Sequence, residues 1–168
     1  MLELGKTGAA GVEKNAVPVL RDGVLVATLR ASNWREAATA EVSERRWVFA
    51  RRGRELTARW AAEPDDAVRF RGRQKSLWKG TWTVDLGGTT VEVEPASLWK
   101  GTHRFLVDGR PVAESGSAGG WRQRPTLAAD GSLPVDAQVF LLWLESVLRR
   151  RANSAAAGGA VIATGGAV

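Results

Sequence analysis

Apolar and polar positions alternate in many short runs between residues 16 and 127. Successive side chains of a β-strand point to opposite faces, so a period of two indicates strands with one buried face. Turn-forming pairs typical of antiparallel hairpins separate the runs: Asp22-Gly23, Gly87-Gly88, Asp108-Gly109 and Asp130-Gly131. We predict strands at residues 23–32, 45–52, 54–61, 67–74, 81–86, 89–94, 102–107, 110–115 and 120–127.

Residues 132–152, SLPVDAQVFLLWLESVLRRRA, follow a different pattern. Pro134 suits the first turn of a helix, and Asp136 complements the positive N-terminal end of the helix dipole. The arginines at 149–151 complement the negative C-terminal end. The sequence therefore predicts an α-helix at about residues 134–150.

Apolar side chains cover nearly every direction around this helix, and only Gln138, Glu145 and Ser146 interrupt them. A surface helix keeps a single apolar stripe, so this helix must be enclosed. The rest of the chain has the pattern of strands, and the simplest enclosure is a closed sheet. We predict a mainly β fold, a closed antiparallel barrel of about 10–12 short strands around one C-terminal hydrophobic helix. The alternatives are a helix that packs on a partner or a membrane interface, and a helix that forms a dimer seam.

The hexapeptide SLWKGT occurs twice, at residues 76–81 and 97–102. A strand, a glycine-containing turn and a second strand follow each copy, so the repeat unit is a hairpin. The glycine of each copy suits a bend at which a strand enters the sheet. We predict that Trp78 and Trp99 are large plugs at equivalent corners of the fold. The alternative is a face on which twin Trp-Lys pairs bind by stacking or cation–π contacts.

The length of 168 residues and the apolar content of 44% fit one domain with a single core. We expect a flexible N-terminal lead-in at 1–15, a barrel domain at 16–151 and a flexible Ala/Gly-rich tail at 152–168. The chain has no cysteine, no signal-peptide pattern and no apolar run of the roughly 20 residues that cross a bilayer. We therefore expect a cytoplasmic monomer.

Lysine and arginine outnumber aspartate and glutamate by 24 to 18, which gives a net charge of +6 and a pI of about 10.7. Such a surface favours phosphate-bearing partners, either nucleic acid or anionic lipid headgroups. If VRFRGRQKS is extended, alternate cations project to one side of the strand. We predict a polyanion-binding site at Arg69, Arg71, Arg73, Lys75 and Lys79. The alternative is a solvated face whose charge is offset by neighbouring acids: Glu55, Glu63, Asp65 and Asp66.

Residue types that usually carry catalysis are few in this chain. His103 is the only histidine, and it lies in a predicted strand without metal-ligand spacing around it. The paired acids fit a turn, at Asp65-Asp66, and a solvated strand face, at Glu92 and Glu94. No phosphate-binding loop or nucleophile elbow occurs. We predict a protein that is not an enzyme and uses no cofactor or metal; the alternative is a small hydrolase built on Asp65, Asp66 or His103.

The strand-rich chain that ends in LPVDAQVFLLWLESVLRRR resembles the tubby C-terminal-like superfamily, which includes LURP-one-related proteins and phospholipid scramblases. The resemblance covers residues 17–151 and implies a twelve-stranded barrel around a central hydrophobic helix. Tubby domains bind phosphoinositides, and scramblases are associated with lipid movement and calcium. This chain lacks a cysteine cluster for lipidation, an acidic calcium loop and a long hydrophobic terminal anchor, so scramblase activity is not expected.

Charge and resemblance together predict a non-enzymatic binding or scaffolding module. Its expected partner is the anionic phospholipid headgroup, and its expected place is the cytoplasm, with peripheral attachment to the inner membrane surface. The alternative is a nucleic-acid-binding accessory protein that uses the basic strand face.

Overall fold

The computed structural model describes residues 1–32 and 36–162, with only the backbone of 159–162. These residues form twelve strands followed by one helix. The strands are β1 (Leu2–Leu4), β2 (Val17–Arg21), β3 (Val24–Ser32), β4 (Ala37–Val42), β5 (Arg45–Arg52), β6 (Glu55–Trp60), β7 (Phe70–Ser76), β8 (Thr81–Leu86), β9 (Thr90–Ser97), β10 (Thr102–Val107), β11 (Arg110–Ala118) and β12 (Arg124–Ala129). The helix, α1, spans Val135–Ile162.

The strands form one closed antiparallel barrel, in which each strand pairs with its neighbours in the sequence. β1 closes the barrel because it pairs with β12 on one side and with β2 on the other. In the closing pair Leu2 lies opposite Leu127, and both side chains are buried. The predicted fold class, a mainly β closed barrel with one C-terminal helix, is confirmed.

The alternation seen in the sequence corresponds to the inner and outer faces of the barrel. In β5, the side chains of Trp47 and Phe49 are buried inside, whereas the arginines at both ends of the strand are exposed. The turn that joins β10 to β11 consists of Asp108 and Gly109, both with positive φ, at 50° and 74°. Such turns match the twist of the flanking strands, and they favour Asp-Gly pairs because both central residues need a positive φ.

Helix α1 fills the interior of the barrel. Val139, Phe140, Leu141, Leu142 and Leu144 are all completely buried, although they point in different directions around the helix. Aromatic rings of the sheet contact the helix on one side; the ring of Phe49, for example, lies 5.3 Å from that of Phe140 in an edge-to-face arrangement. The prediction that the sheet encloses the helix is therefore confirmed.

Both ends of the chain differ from the sequence predictions. The segment 1–15, predicted as a flexible lead-in, contains β1, whose Leu2 is buried in the core. The segment 152–168, predicted as a flexible tail, is helical as far as Ile162, so α1 is longer than the predicted 134–150. Alanine is the best helix former, and a helix already nucleated inside the barrel extends readily into alanine-rich sequence.

Three strands were not predicted individually: β1, β2 and β4. β2 is short and contains Pro18, which is rare inside strands, and β4 has three alanines among its six residues, so the strand signal of both is weak. The Asp130-Gly131 pair does not close a hairpin; it lies in the connection between β12 and α1.

Antiparallel pairing places successive connections at alternate ends of the barrel. At one end lie the connections β1–β2, β3–β4, β5–β6, β7–β8, β9–β10 and β11–β12; the remaining connections lie at the other end. α1 begins at the second end, where Arg21 donates a hydrogen bond to Gln138 at 3.1 Å. It leaves at the first end, where Arg149 donates to the carbonyl of Gly116 and Arg151 pairs with Glu36. We call these the helix-start end and the helix-exit end.

Candidate functional site

Among the residues that the structure describes, three fully exposed tryptophans lie at the helix-exit end of the barrel. Trp78, Trp99 and Trp121 occupy the connections β7–β8, β9–β10 and β11–β12, which belong to three adjacent hairpins. Leu77 and Leu98, which precede two of them, are 82% and 86% exposed. Isolated apolar side chains are common on surfaces, but a group of this size at one edge is a candidate interaction site. We call the connections 77–80, 98–101 and 119–123 the tryptophan rim.

A cation follows each tryptophan of the rim directly in the sequence. Trp78 precedes Lys79, Trp99 precedes Lys100, and Trp121 precedes Arg122. The tryptophans buried in the barrel do not show this pattern, because uncharged residues follow Trp47, Trp82 and Trp143. One more Trp-Arg pair, at residues 34 and 35, lies outside the described residues. Among these described tryptophans, the exposed ones are followed by a cation and the buried ones are not.

The SLWKGT repeat builds the same loop twice. In the first copy the Ser76 hydroxyl accepts a hydrogen bond from the backbone N–H of Lys79 at 3.2 Å. In the second copy Ser97 accepts from Lys100 at 3.3 Å. The glycines that follow have nearly the same positive φ, 61° and 59°, in the left-handed region that favours glycine. The predicted bend at each glycine is confirmed, and the repeat presents its tryptophan in the same way on two hairpins.

The prediction that Trp78 and Trp99 are plugs is wrong, because both side chains are completely exposed. Each tryptophan lies in the connection beyond the sheet, and the space inside this end of the barrel is already occupied. Trp82 of β8 is buried there, with the Arg151 guanidinium 5.4 Å from its ring. The alternative, an exposed pair of Trp-Lys faces, agrees with the geometry.

The predicted basic strand lies partly along a shallow groove on the outside of β7 and β8. Arg69, Arg71 and Arg73 line this groove, whose volume is about 320 Å³, together with Asp85. Glu55 lies 3.5 Å from Arg71 and 2.5 Å from Arg73. The acids present at the groove therefore offset much of its positive charge.

Of the five predicted cations, Arg69 lines the groove but has its own partners, whereas Lys75 and Lys79 lie outside the groove. Arg69 precedes β7, pairs with Glu63, and stacks its guanidinium 3.2 Å from the centre of the Trp60 ring. Lys75 lies beyond the groove and pairs with Glu92 at 3.3 Å. Lys79 belongs to the tryptophan rim. The structure brings three of the five predicted residues together and places the fifth with the exposed tryptophans.

The two ends of the barrel carry opposite charge in their described connections. At the helix-exit end the charged residues are mainly basic: Lys6, Lys14, Arg54, Lys79, Lys100 and Arg122, with the acids Glu13 and Glu36. At the helix-start end they are mainly acidic: Asp22, Glu44, Glu63, Asp65, Asp66, Asp108 and Asp130, with Arg69 paired to Glu63. The tryptophan rim therefore lies at the positive end of the molecule.

A buried charged network fixes the helix below the rim. Glu145 is completely buried. Its carboxylate accepts one hydrogen bond from Nε of Arg149 and one from Nδ1 of His103, both at 2.8 Å. Arg149 also donates to Ser117 and to the carbonyl of Gly116 in β11. Burial raises the pKa of Glu145, but the hydrogen bonds and charges of His103 and Arg149 outweigh burial and lower the pKa overall.

The residues considered for hydrolysis are not brought together. Asp65 and Asp66 lie in the β6–β7 connection at the helix-start end, where Asp65 pairs with Arg59. His103 lies at the opposite end, at the beginning of β10. Within residues 1–32 and 36–162, no group of three or more histidine, aspartate or glutamate side chains is placed to hold a metal ion.

No protein-family model, curated protein or solved structure matches this chain. In the part of the chain that the structure describes, no helix combines the length and the apolar character needed to cross a membrane.

Proposed function

We propose that this protein is a non-enzymatic module that attaches to the surface of an anionic membrane through its tryptophan rim. The observation that carries this proposal is the set of three fully exposed tryptophans, each followed by a cation, on three adjacent hairpins at one end of the barrel.

Tryptophan and the neighbouring cations suit different layers of the same membrane surface. The indole ring has an apolar body and a polar N–H, so it partitions to the boundary between headgroups and acyl chains. Leu77 and Leu98 add purely apolar surface beside two of the tryptophans. The cations that follow the tryptophans reach lipid phosphates, and each contributes about 1 kcal/mol near an anionic surface.

The charge difference between the two ends supports one orientation on the membrane. A negative surface attracts the helix-exit end, with its lysines and arginines, and repels the acidic helix-start end. The same end carries the exposed tryptophans, so charge and apolar exposure favour the same contact. The tubby-like resemblance remains a proposal, and its ligand class, the phospholipid headgroup, agrees with this one.

Single-stranded nucleic acid is the second candidate, because exposed tryptophans beside cations also stack on bases and contact phosphates. The two candidates differ in what the tryptophans require. Membrane attachment needs acyl chains beneath the headgroups, whereas nucleic-acid binding needs a flexible strand with free bases.

Cosedimentation with vesicles tests the proposal. We expect the protein to bind vesicles that contain phosphatidylserine more tightly than vesicles of phosphatidylcholine alone. Replacement of one rim tryptophan, as in Trp99→Ser, should weaken binding by roughly tenfold to a hundredfold, the value of burying one large apolar side chain.

The matched control removes exposed apolar side chains from the opposite end. Val24 and Leu25 are 66% and 44% exposed near the β2–β3 turn, at the helix-start end. The variant Val24→Ser with Leu25→Ser should bind vesicles like the original protein. The proposal fails if both variants weaken binding equally. Tight binding to single-stranded DNA or RNA that needs the tryptophans, without vesicle binding, would favour the second candidate.

A further inference from the structure

Helix α1 continues well beyond the barrel at the helix-exit end. Contacts of Arg149 with Gly116 and of Arg151 with Glu36 mark the level at which the helix leaves the sheet. The next seven residues, 152–158, are all exposed, and the helix extends to Ile162. This helical extension, defined as residues 152–162, projects from the same end as the tryptophan rim.

The composition of the extension changes abruptly after Arg151. Three arginines occupy positions 149–151, whereas the extension, ANSAAAGGAVI, contains no charged residue. Asn153 and Ser154 are its only residues with polar side chains, and both lie in its first turn. The cations therefore stand where the helix leaves the barrel, and the uncharged part lies farther out.

The extension reaches farther than the tryptophan loops. Arg151 lies 5.4 Å from the ring of Trp82, near the start of β8, so the extension and the β7–β8 loop begin at a similar level. Trp78 is two residues past the end of β7, so its Cα lies at most about 7 Å beyond the strand. Eleven helical residues beyond Arg151 extend about 16 Å. A membrane that meets the tryptophan rim must therefore also meet the extension.

We propose that the extension inserts into the bilayer when the tryptophan rim attaches, an inference that rests on the proposed function. Uncharged alanine, glycine, valine and isoleucine can enter the boundary region, whereas a charged segment could not do so cheaply. A length of about 16 Å is near half of the roughly 30 Å hydrocarbon core, so the extension enters one leaflet without crossing. Arg149, Arg150 and Arg151 then lie at the level of the lipid phosphates.

The exposure of this segment is consistent with a bilayer as its surroundings. All side chains of 152–158 are exposed, so no protein packing stabilises this part of the helix. Gly158 lowers the helix propensity of the outer part of the extension, beyond the alanines into which the nucleated helix continues readily. A bilayer strengthens the backbone hydrogen bonds of an inserted helix because water no longer competes for them.

The absence of cysteine in the chain makes a site-specific probe straightforward. Ala157→Cys, labelled with the fluorophore NBD, reports the surroundings of the extension. Thr89→Cys, in the exposed β8–β9 connection at the helix-start end, is the matched control. With vesicles containing phosphatidylserine and nitroxide-labelled acyl chains, we expect a blue shift and quenching of NBD at position 157 and neither at position 89.

The outcomes separate the inference from the proposed function. If the labelled protein cosediments with vesicles but the probe at 157 stays in a water-like environment, the insertion is wrong and the membrane attachment stands. If the protein does not bind vesicles, both are wrong. Shielding of the probe without vesicles, increasing with protein concentration, would assign the extension to contacts between copies of the chain and overturn its insertion.

A charge placed in the extension gives a second test. Ala156→Glu should weaken vesicle binding several-fold while leaving the midpoint of thermal unfolding unchanged, because Ala156 is exposed. Ala156→Gln, which is polar but uncharged, should have a smaller effect. Equal binding by Ala156→Glu and the original protein would contradict insertion.

Discussion

The carboxylate of Glu145, completely buried in α1, lies 2.8 Å from Nδ1 of His103 at the start of β10. The same carboxylate accepts a hydrogen bond from Arg149, which in turn donates to the carbonyl of Gly116 in β11. A charge inside a barrel is costly unless it is fully paired, and these partners pair it. The network thus joins the helix to β10, which follows the loop of Trp99, and to β11, which precedes the loop of Trp121.

The Glu145 network predicts a specific loss of stability in acid. The pKa of Glu145 lies below the ordinary value of 4.5, so its carboxylate takes up a proton at lower pH in the folded than in the unfolded protein. Its contribution to the free energy of unfolding is therefore complete above about pH 4.5 and is lost as the pH falls through the folded pKa. Glu145→Gln should lower stability at neutral pH by about 3–5 kcal/mol and reduce the acid dependence.

Urea unfolding at a series of pH values measures both effects. Glu114→Gln is the control, because Glu114 is exposed on β11 and lies 3.8 Å from Arg104. That variant should change the free energy of unfolding by less than about 1 kcal/mol. Similar pH profiles for Glu145→Gln and the original protein would contradict the role of the network.

The cations of the rim and those of the groove should differ in their effect on membrane binding. Lys79 and Lys100 follow the exposed tryptophans, whereas Arg71 and Arg73 share Glu55 as a partner. We expect Lys79→Gln with Lys100→Gln to weaken binding to anionic vesicles by roughly tenfold or more, at about 1 kcal/mol per cation.

Arg71→Gln with Arg73→Gln removes the same number of charges and provides the matched comparison. This variant should weaken vesicle binding less and should leave its salt dependence nearly unchanged. If the groove variant loses more vesicle binding than the rim variant, the binding site is the basic strand and not the tryptophan rim. Cosedimentation at two salt concentrations distinguishes the cases.

The glycines of the rim predict a contrast in stability. Gly101 has a φ of 59°, and a Cβ built there meets no atom within 4 Å, so only backbone strain opposes a side chain. Gly101→Ala should therefore cost roughly 1–2 kcal/mol. Gly120, in the β11–β12 connection, also has open space around it but is not in the left-handed region.

Thermal unfolding of both alanine variants gives the comparison. Gly120→Ala should leave the stability unchanged or raise it by up to about 1 kcal/mol, because alanine restricts the unfolded chain. Equal destabilisation by the two substitutions would mean that the positive φ at Gly101 is not required.

The enclosed helix predicts large effects from core substitutions. Leu142 is completely buried within the barrel. Leu142→Ala should lower the free energy of unfolding by about 2–5 kcal/mol, through lost apolar burial and the remaining cavity. Leu25→Ala, on the 44% exposed Leu25, should cost much less. A small effect at Leu142 in chemical unfolding would argue against tight packing of the helix.

The enclosed helix could be predicted from the sequence because many apolar residues within one short segment all indicate the same burial. Apolar residues on all sides of one helix leave a single physical solution, which is burial on all sides. Many strands were also predictable, because Asp-Gly turns and alternating residues mark their limits. Strands such as β4, rich in alanine, acquire their structure from pairing with β3 and β5 rather than from their own propensity.

The site was harder to predict, because exposure depends on the path of the chain. A tryptophan beside a glycine bend fits either a filled corner or an exposed loop tip, and the deciding fact is that Trp82 and α1 already occupy the interior. One local signal was available: each exposed tryptophan in the described part of the chain is followed by a cation, as Trp78 is by Lys79. The ion pairs of Arg71 and Arg73 depend on Glu55 of the neighbouring strand, which the spacing within one strand does not show.

The closing pair of the barrel has a consequence for biosynthesis. Leu2 of β1 is synthesised long before its partner Leu127 of β12. The helix that fills the barrel is synthesised last. A ribosome needs on the order of ten seconds to make the residues between these partners. Throughout that interval the nascent sheet has an unpaired edge and a hydrophobic concave face without its filling, which is the kind of surface that chaperones capture.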